Sequence, residues 1–251
     1  MAQAISASFK DSGSQPPGLR LLRTLRDRND IIHRLAWSPD LRTIASPSRD
    51  GTVRIWDFET GEIRGILENH NSWVNSVAWS PDGSLLASGT ESGKIFIWEM
   101  PNGSLQRIVH AHSGRIECLA WSTRMDLLAS ASADGTVGVW RAPNCNEIYR
   151  IDDHNAWVNA VAWSPDGRYL ATGAEDPTVK LWDTKNFGLL HTLQHSFWVT
   201  DLVWTPDSSI LASAADRTIR LWDPIQGRLL RSLTGHEDRV KCLSFLLMEN
   251  Y

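Results

Sequence analysis

Cysteine is scarce in this sequence: Cys118, Cys145 and Cys242 stand far apart and form no CxxC pair. An odd, scattered set weighs against a disulfide framework and a thiolate zinc site, and fits a reducing compartment. Long apolar runs are also missing, since none approaches the roughly 18 residues of a membrane-spanning helix. The opening stretch 1–17, MAQAISASFKDSGSQPP, has neither the basic start nor the apolar core of a secretory leader. It reads as a mobile polar tail. Charge of one sign is not in excess either: 25 basic and 29 acidic residues give a net charge of −4. That balance argues against a dedicated nucleic-acid binder, which needs a basic face. No P-loop, GxGxxG or HExxH motif is present, so no cofactor or metal is expected. These absences leave a soluble, cytoplasmic, single-domain protein, with neither nucleic acid nor membrane among its expected partners.

Tryptophan, by contrast, is abundant, and its positions follow a rule. One series, Trp37, Trp79, Trp121, Trp163 and Trp204, is spaced 42, 42, 42 and 41 residues. A second, Trp56, Trp98, Trp140, Trp182 and Trp222, is spaced 42, 42, 42 and 40. Ten of the 13 tryptophans thus belong to a repeat of about 42 residues.

One unit reads as four short strands. VNSVAWS (74–80) is an apolar, β-branched and aromatic run that ends in the turn PDG. SLLASGT (84–90), the small turn ESG, KIFIWE (94–99), the turn MPNG and SLQRIVH (104–110) follow. The inner runs are apolar on both faces and the fourth alternates, as in a small antiparallel meander covered by neighbours with one edge in water. Such a unit cannot bury its faces alone, and copies packed radially solve the problem.

On these residues the chain resembles the WD-repeat β-propeller family. Trp-Asp occurs at Trp56-Asp57, Trp182-Asp183 and Trp222-Asp223, with Trp98-Glu99 and Trp140-Arg141 as variants. A histidine stands nine residues before each strand tryptophan, at His70, His112, His154 and His195, and His236 stands nine before Phe245. The expected fold is all-β: five complete four-stranded blades, with repeats at 28–68, 69–110, 111–152, 153–193 and 194–234, and an incomplete sixth at 235–251, within a propeller of residues 18–251.

The resemblance further implies a buried relay of His, Ser or Thr, Asp and Trp in each blade. It maps onto His112, Ser130, Asp134 and Trp140; onto His154, Thr172, Asp176 and Trp182; and onto His195, Ser213, Asp216 and Trp222. Blade two keeps His70, Ser88 and Trp98 but has Ser92 in the Asp place; blade one keeps Ser46, Asp50 and Trp56 but has Arg28 in the His place. Blades one and two are therefore expected to be less rigid. A recurring Ser, His and Asp invites a hydrolase reading, yet near-copies of one triad in every unit read as structure. The HxH pair His110 and His112, and His191 four before His195, suggest zinc only weakly, because His112 and His195 already belong to the relay.

In repeat proteins, shared positions build the scaffold and variable ones at fixed register face partners. The position three after the histidine holds Trp73, Arg115, Trp157, Trp198 and Arg239, which include the three tryptophans outside the periodic series. Two residues on stand Asn75, Glu117, Asn159 and Thr200, and before the turn Asp stand Glu91 and Glu175. The resemblance places these registers around the top face, where peptides and partner domains bind. The alternative is that each tryptophan folds down and seals the core. The leading expectation is a non-enzymatic scaffold that binds other proteins or peptides. A second is a cullin-ligase substrate adaptor, since LATGAEDPTVKLWDTK (170–185) is similar to the docking box of some family members, with Lys185 in the usual Arg place. A third, an enzyme in the central channel, has only Glu117 and His33 as candidate groups.

The sixth copy loses register after Phe245, where LLMENY replaces the expected SPDG turn. LRLLRTLRD (19–27) matches GRLLRSLTG (227–235) and is expected to supply that blade's outer strand. Three readings stay open: a fragment of a longer WD-repeat signalling protein, a strained or five-bladed ring, or a gap filled in trans by a partner or by self-association.

Overall fold

The computed structural model describes residues 24–25, 31–32, 34–124 and 126–245. The described strands form five four-stranded antiparallel sheets, each a meander of consecutive strands. Blade one holds β1 (Ala36–Trp37), β2 (Thr43–Pro47), β3 (Val53–Asp57) and β4 (Ile63–Leu67). Blade two holds β5 (Val74–Trp79), β6 (Leu85–Thr90), β7 (Lys94–Glu99) and β8 (Ser104–His110). Blade three holds β9 (Ile116–Trp121), β10 (Leu127–Ser132), β11 (Val137–Arg141) and β12 (Asn146–Ile151). Blade four holds β13 (Val158–Trp163), β14 (Tyr169–Ala174), β15 (Thr178–Asp183) and β16 (Leu189–Gln194), and blade five β17 (Val199–Trp204), β18 (Leu211–Ala215), β19 (Thr218–Asp223) and β20 (Arg228–Leu233). No helix among the described residues is long and apolar enough to cross a membrane.

Local chemistry sets the turns. In the SPDG turn, Ser80 Oγ donates to Asp82 (2.6 Å) and accepts the N–H of Leu85 (2.9 Å), which starts the next strand. Ser38, Ser164 and Thr205 repeat the pattern with Asp40, Asp166 and Asp207. Hydrogen bonds from Thr205 and Ser209 hold the Asp207 carboxyl down at about 2. The aspartate of each Trp-Asp pair caps the third turn: Asp57 accepts from Thr60 N, Asp183 from Lys185 N, and Asp223 from Ile225 N.

The core lies between blades rather than within them. Val137, Val139 and Leu127 of blade three pack with Val158, Val161 and Trp163 of blade four, and equivalent clusters join the other pairs. Inner strands adjoin in sequence, β1 to β5, β5 to β9, β9 to β13 and β13 to β17. The first tryptophan series staples these seams. Trp79, Trp121, Trp163 and Trp204 each donate Nε1–H to a carbonyl of the preceding blade, at Ala36, Ala78, Ala120 and Ala162, over 3.0–3.2 Å. Each bond contributes about 1 kcal/mol beyond the apolar area it helps to bury. The fourth strands are the wet ones, and β20 is exposed throughout.

Residues 239–245 lie where a sixth inner strand belongs. Val240 N–H donates to the Asp216 carbonyl (2.7 Å), and Leu243 N–H to the Asp201 carboxylate (2.6 Å). Leu119 N–H makes the equivalent bond to Ser76 Oγ (3.0 Å) across the seam of blades two and three. Of the outer strand expected from 19–27, only residues 24–25 are described, and they carry no strand assignment; Arg28 in the blade-one His place falls outside the described residues.

Candidate functional site

The relay forms fully in two blades. In blade four, Trp182 Nε1–H donates to Thr172 Oγ1 (3.0 Å), Thr172 pairs with His154 Nε2 (2.7 Å), and His154 Nδ1 meets Asp176 (2.9 Å). Blade three repeats it through Trp140, Ser130, His112 and Asp134 at 2.8, 2.7 and 3.0 Å. Burial opposes ionisation of Asp134, but hydrogen bonds from His112 and Thr136 together hold its carboxyl far below the usual range. Asp176 is lowered by the same balance, with Thr178 and His154 as donors. In blade two, Trp98 and His70 converge on Ser88 (2.9 and 2.8 Å), and His70 Nδ1–H donates to the Gly51 carbonyl of blade one (2.9 Å). The missing Asp therefore leaves no orphaned nitrogen on His70. In blade one, Trp56 donates to Ser46 (2.8 Å), and Asp50 pairs with Arg54 (2.8 Å) instead of a histidine.

Blade five departs from the expected relay. His195 and Trp222 meet at Ser213 (2.8 and 2.7 Å), but Asp216 turns away to Arg217 (3.7 Å). The cause is a turn shortened by one residue: Ser213 to Trp222 spans nine positions, whereas Ser130 to Trp140 and Thr172 to Trp182 span ten. Asp216 itself takes a left-handed φ of 50° in that tight hairpin. Burial, with the nearby Arg220 charge, lowers His195 to about 4, and burial alone against the Gly51 carbonyl lowers His70 to about 4.

The variable register lies at one end of the ring. The carbonyls of Trp73, Arg115 and Trp157 accept N–H bonds from Glu91, Ala133 and Glu175, all 2.9 Å, which ties them to the turns joining second and third strands. Trp73, Trp157 and Trp198 are 47%, 44% and 41% exposed. Each carries an arginine on its face: Arg49 over Trp73 at 4.7 Å, Arg115 over Trp157 at 4.6 Å, and Arg239 over Trp198 at 5.5 Å. The tryptophans are thus held upright by cation–π contact while half their surface meets solvent. Arg115 is also clamped by Glu117 and lies 4.0 Å from Glu91. Lys185, exposed in the β15–β16 turn, sits at the opposite end of its blade.

The residues two further on play another part. Asn75, Glu117, Asn159 and Thr200 are each skipped by the pairing register of the first two strands, so each is a β-bulge residue. A bulge re-aims the side chain. Asn75 donates to Glu91 (2.9 Å), Asn159 to the Val199 carbonyl of the next blade (3.0 Å), and Thr200 to the Val240 carbonyl (2.7 Å). These hydrogen bonds tie Asn75 Nδ2, Asn159 Nδ2 and Thr200 Oγ1 to neighbouring groups of the protein.

A cross-blade contact rests on a residue that reading the repeat alone passed over. Arg34, of the inner segment of blade one, donates to the Thr200 carbonyl (2.9 Å), pairs with Asp201 (2.9 Å) and reaches Cys118 Sγ (3.4 Å). It therefore touches blades five and three from blade one. The signal was present in register: Arg34, Ser76, Cys118, Ala160, Asp201 and Cys242 occupy one repeat position, which contains one cation and one carboxylate. Of the two candidate groups for chemistry in the central channel, Glu117 is held by Arg115, and His33 lies outside the described residues. No cluster among the described residues has the His, Cys, Asp or Glu content to hold a metal ion.

Residues 24–148 match the family described as IFT140 first beta-propeller, 119–198 the anaphase-promoting complex subunit 4 WD40 domain, and 187–223 the WD domain, G-beta repeat. Among curated relatives, Nuclear distribution protein nudF 2 of Talaromyces marneffei is 35% identical over 65 residues, 26% of this chain and 14% of that protein. Nuclear distribution protein PAC1 of Arthroderma benhamiae is 33% identical over 67 residues, 27% of this chain and 14% of that protein. PAC1 of Arthroderma otae is 36% identical over 61 residues, 24% and 13%. The matched stretch thus spans about one-seventh of the length of these relatives.

Proposed function

From the premise that this chain belongs to the WD-repeat β-propeller family, we infer that it is a non-enzymatic scaffold whose top face captures other proteins. The observation that carries this reading is the repeated Trp–Arg stack. Three tryptophans at one register, 41–47% exposed, are each oriented by an arginine and lie on one end of the ring. Large aromatic groups held rigid before contact bury area with little further loss of entropy, which is the composition of a binding hot spot. The proposed contact set is Trp73, Trp157, Trp198, Arg115 and Arg239, with Glu91, Glu117 and Glu175 as its acidic rim.

The test is the double variant Trp157→Ala, Trp198→Ala. Quantitative affinity capture by this variant should lose a defined set of proteins that the wild type retains, with the thermal midpoint moved by only a few degrees. A fall in the midpoint beyond about 10 °C would show that the rings seal the core, and this reading would be abandoned.

A further inference from the structure

We propose that the Arg239 corner of the top face is a carboxylate-reading subsite, which selects partners presenting an acidic peptide segment with an apolar neighbour. The inference rests on the top face being a partner surface and adds the chemistry of what it reads.

The three stacked arginines are not equivalent. Arg115 donates its Nε–H to Glu117 and lies 4.0 Å from Glu91, so the charge it carries is already answered by two carboxylates of the protein. Arg239 lies 5.4 Å from the Phe197 ring centroid and 5.5 Å from that of Trp198. The two rings are 5.6 Å apart at 38° and form an open wedge under the guanidinium. Its own backbone N–H donates to Asp238 (2.7 Å), but among the described residues the guanidinium has no hydrogen bond and no ion pair. A cation is therefore fixed in place, stripped of water where it faces the rings, and left with its fork of donors unspent.

Such a guanidinium matches a carboxylate in bidentate geometry, and its weak hydration makes the exchange of water for carboxylate favourable. Phe197 and Trp198 are 40% and 41% exposed, so apolar area is available beside the charge. A peptide residue adjacent to the acid has a surface to cover there. A single fork suits a monoanion, whereas phosphorylated residues draw clusters of arginine. Glu237 and Asp238 precede Arg239 in the chain, which further disfavours a dianion.

Random peptides displayed on phage, selected on the full chain and remeasured as synthetic peptides by fluorescence anisotropy, test the idea. The expected winners are enriched in Asp or Glu. Arg239→Gln, or the amide of the key acidic residue, should each weaken binding about tenfold or more, and the two changes together little more than either alone. Arg239→Lys, which keeps the charge and loses the fork, should recover part of the affinity. Winners without acidic preference, or bound equally by Arg239→Gln yet lost with Trp198→Ala, would overturn the inference and leave the top-face reading standing. Winners indifferent to both Trp157→Ala and Trp198→Ala would overturn that reading and the inference with it.

Discussion

Replacing Asp201 by alanine removes an acceptor on which two separate parts of the ring converge. Its carboxylate, 6% exposed, takes Arg34 Nη1 of blade one at 2.9 Å and Leu243 N–H of the sixth segment at 2.6 Å. Hydrogen bonds to a charged partner contribute about 1.5–3 kcal/mol each. The Arg34 side chain keeps 31% exposure, so water rehydrates the freed guanidinium and the cost falls below that of breaking a fully buried pair. A net loss of about 2–3 kcal/mol follows. For a chain of this size that is a fall in thermal midpoint of roughly 4–12 °C.

The pair is specific, so its signature is coupling and not just loss. Arg34→Met should cost a similar amount, because it also releases the Thr200 carbonyl. The double variant should lie near either single one, with an interaction energy of about 1 kcal/mol or more. Urea unfolding followed by tryptophan fluorescence gives the three differences, with unchanged slope showing that the same surface is exposed. An Asp201→Ala cost under about 0.5 kcal/mol, or single costs that simply add, would refute the cross-blade tie.

Asp176→Ala should cost about 1–3 kcal/mol in the same assay, since it orphans His154 Nδ1, while Asp216→Asn, which keeps a residue suited to the left-handed φ of 50° there, should stay within about 0.5 kcal/mol. A similar cost at both sites would mean that the shortened turn of blade five does not release its aspartate. Stability should also fall with pH between about 6.5 and 4, because His70 and His195 stay neutral in the folded chain down to about 4 but take up protons when unfolded. The slope there should reach about two protons or more, since burial also lowers His154, and should drop by about one in His195→Gln, read from urea midpoints across pH. Asp134 and Asp176, whose carboxyls are depressed, add a further loss below about pH 4, as the unfolded state protonates first.

The blades were legible because each unit repeats both its apolar runs and its turn residues, and a shift of one position would move Trp79 or Trp98 off its partner. The relay was legible where Ser or Thr, Asp and Trp keep the spacing of blades three and four. In blade five the one-residue deletion was visible as a spacing of nine, but its effect depends on how the hairpin closes, which spacing alone does not dictate. The capture of His70 by the Gly51 carbonyl was not legible, because the acceptor is backbone of another blade. The bulges at Asn75, Glu117, Asn159 and Thr200 were hidden for a related reason. A polar residue between buried neighbours looks like an outward-facing position until strand register is known. Arg34 meeting Asp201 needs the ring itself, since 167 positions separate the two in sequence.

These distinctions bear on where a partner can bind. In the relay and at the seams, hydroxyls, imidazoles and indole N–H groups are matched within the protein, and among the described residues Arg220 Nε is the sole buried side-chain polar atom without a partner. Between blades one, three and five, Arg34 Nη1 and Nη2 are engaged by Asp201, Cys118 and the Thr200 carbonyl. A ligand entering there would have to break an ion pair before making any contact. At the rim the balance is reversed: Trp73, Trp157, Trp198 and Phe197 keep 40–47% of their surface in water while stacked arginines fix their orientation. Contact at that rim gains apolar burial without ordering loose side chains first, and at Arg239 it also gains a charge that nothing in the described chain has answered.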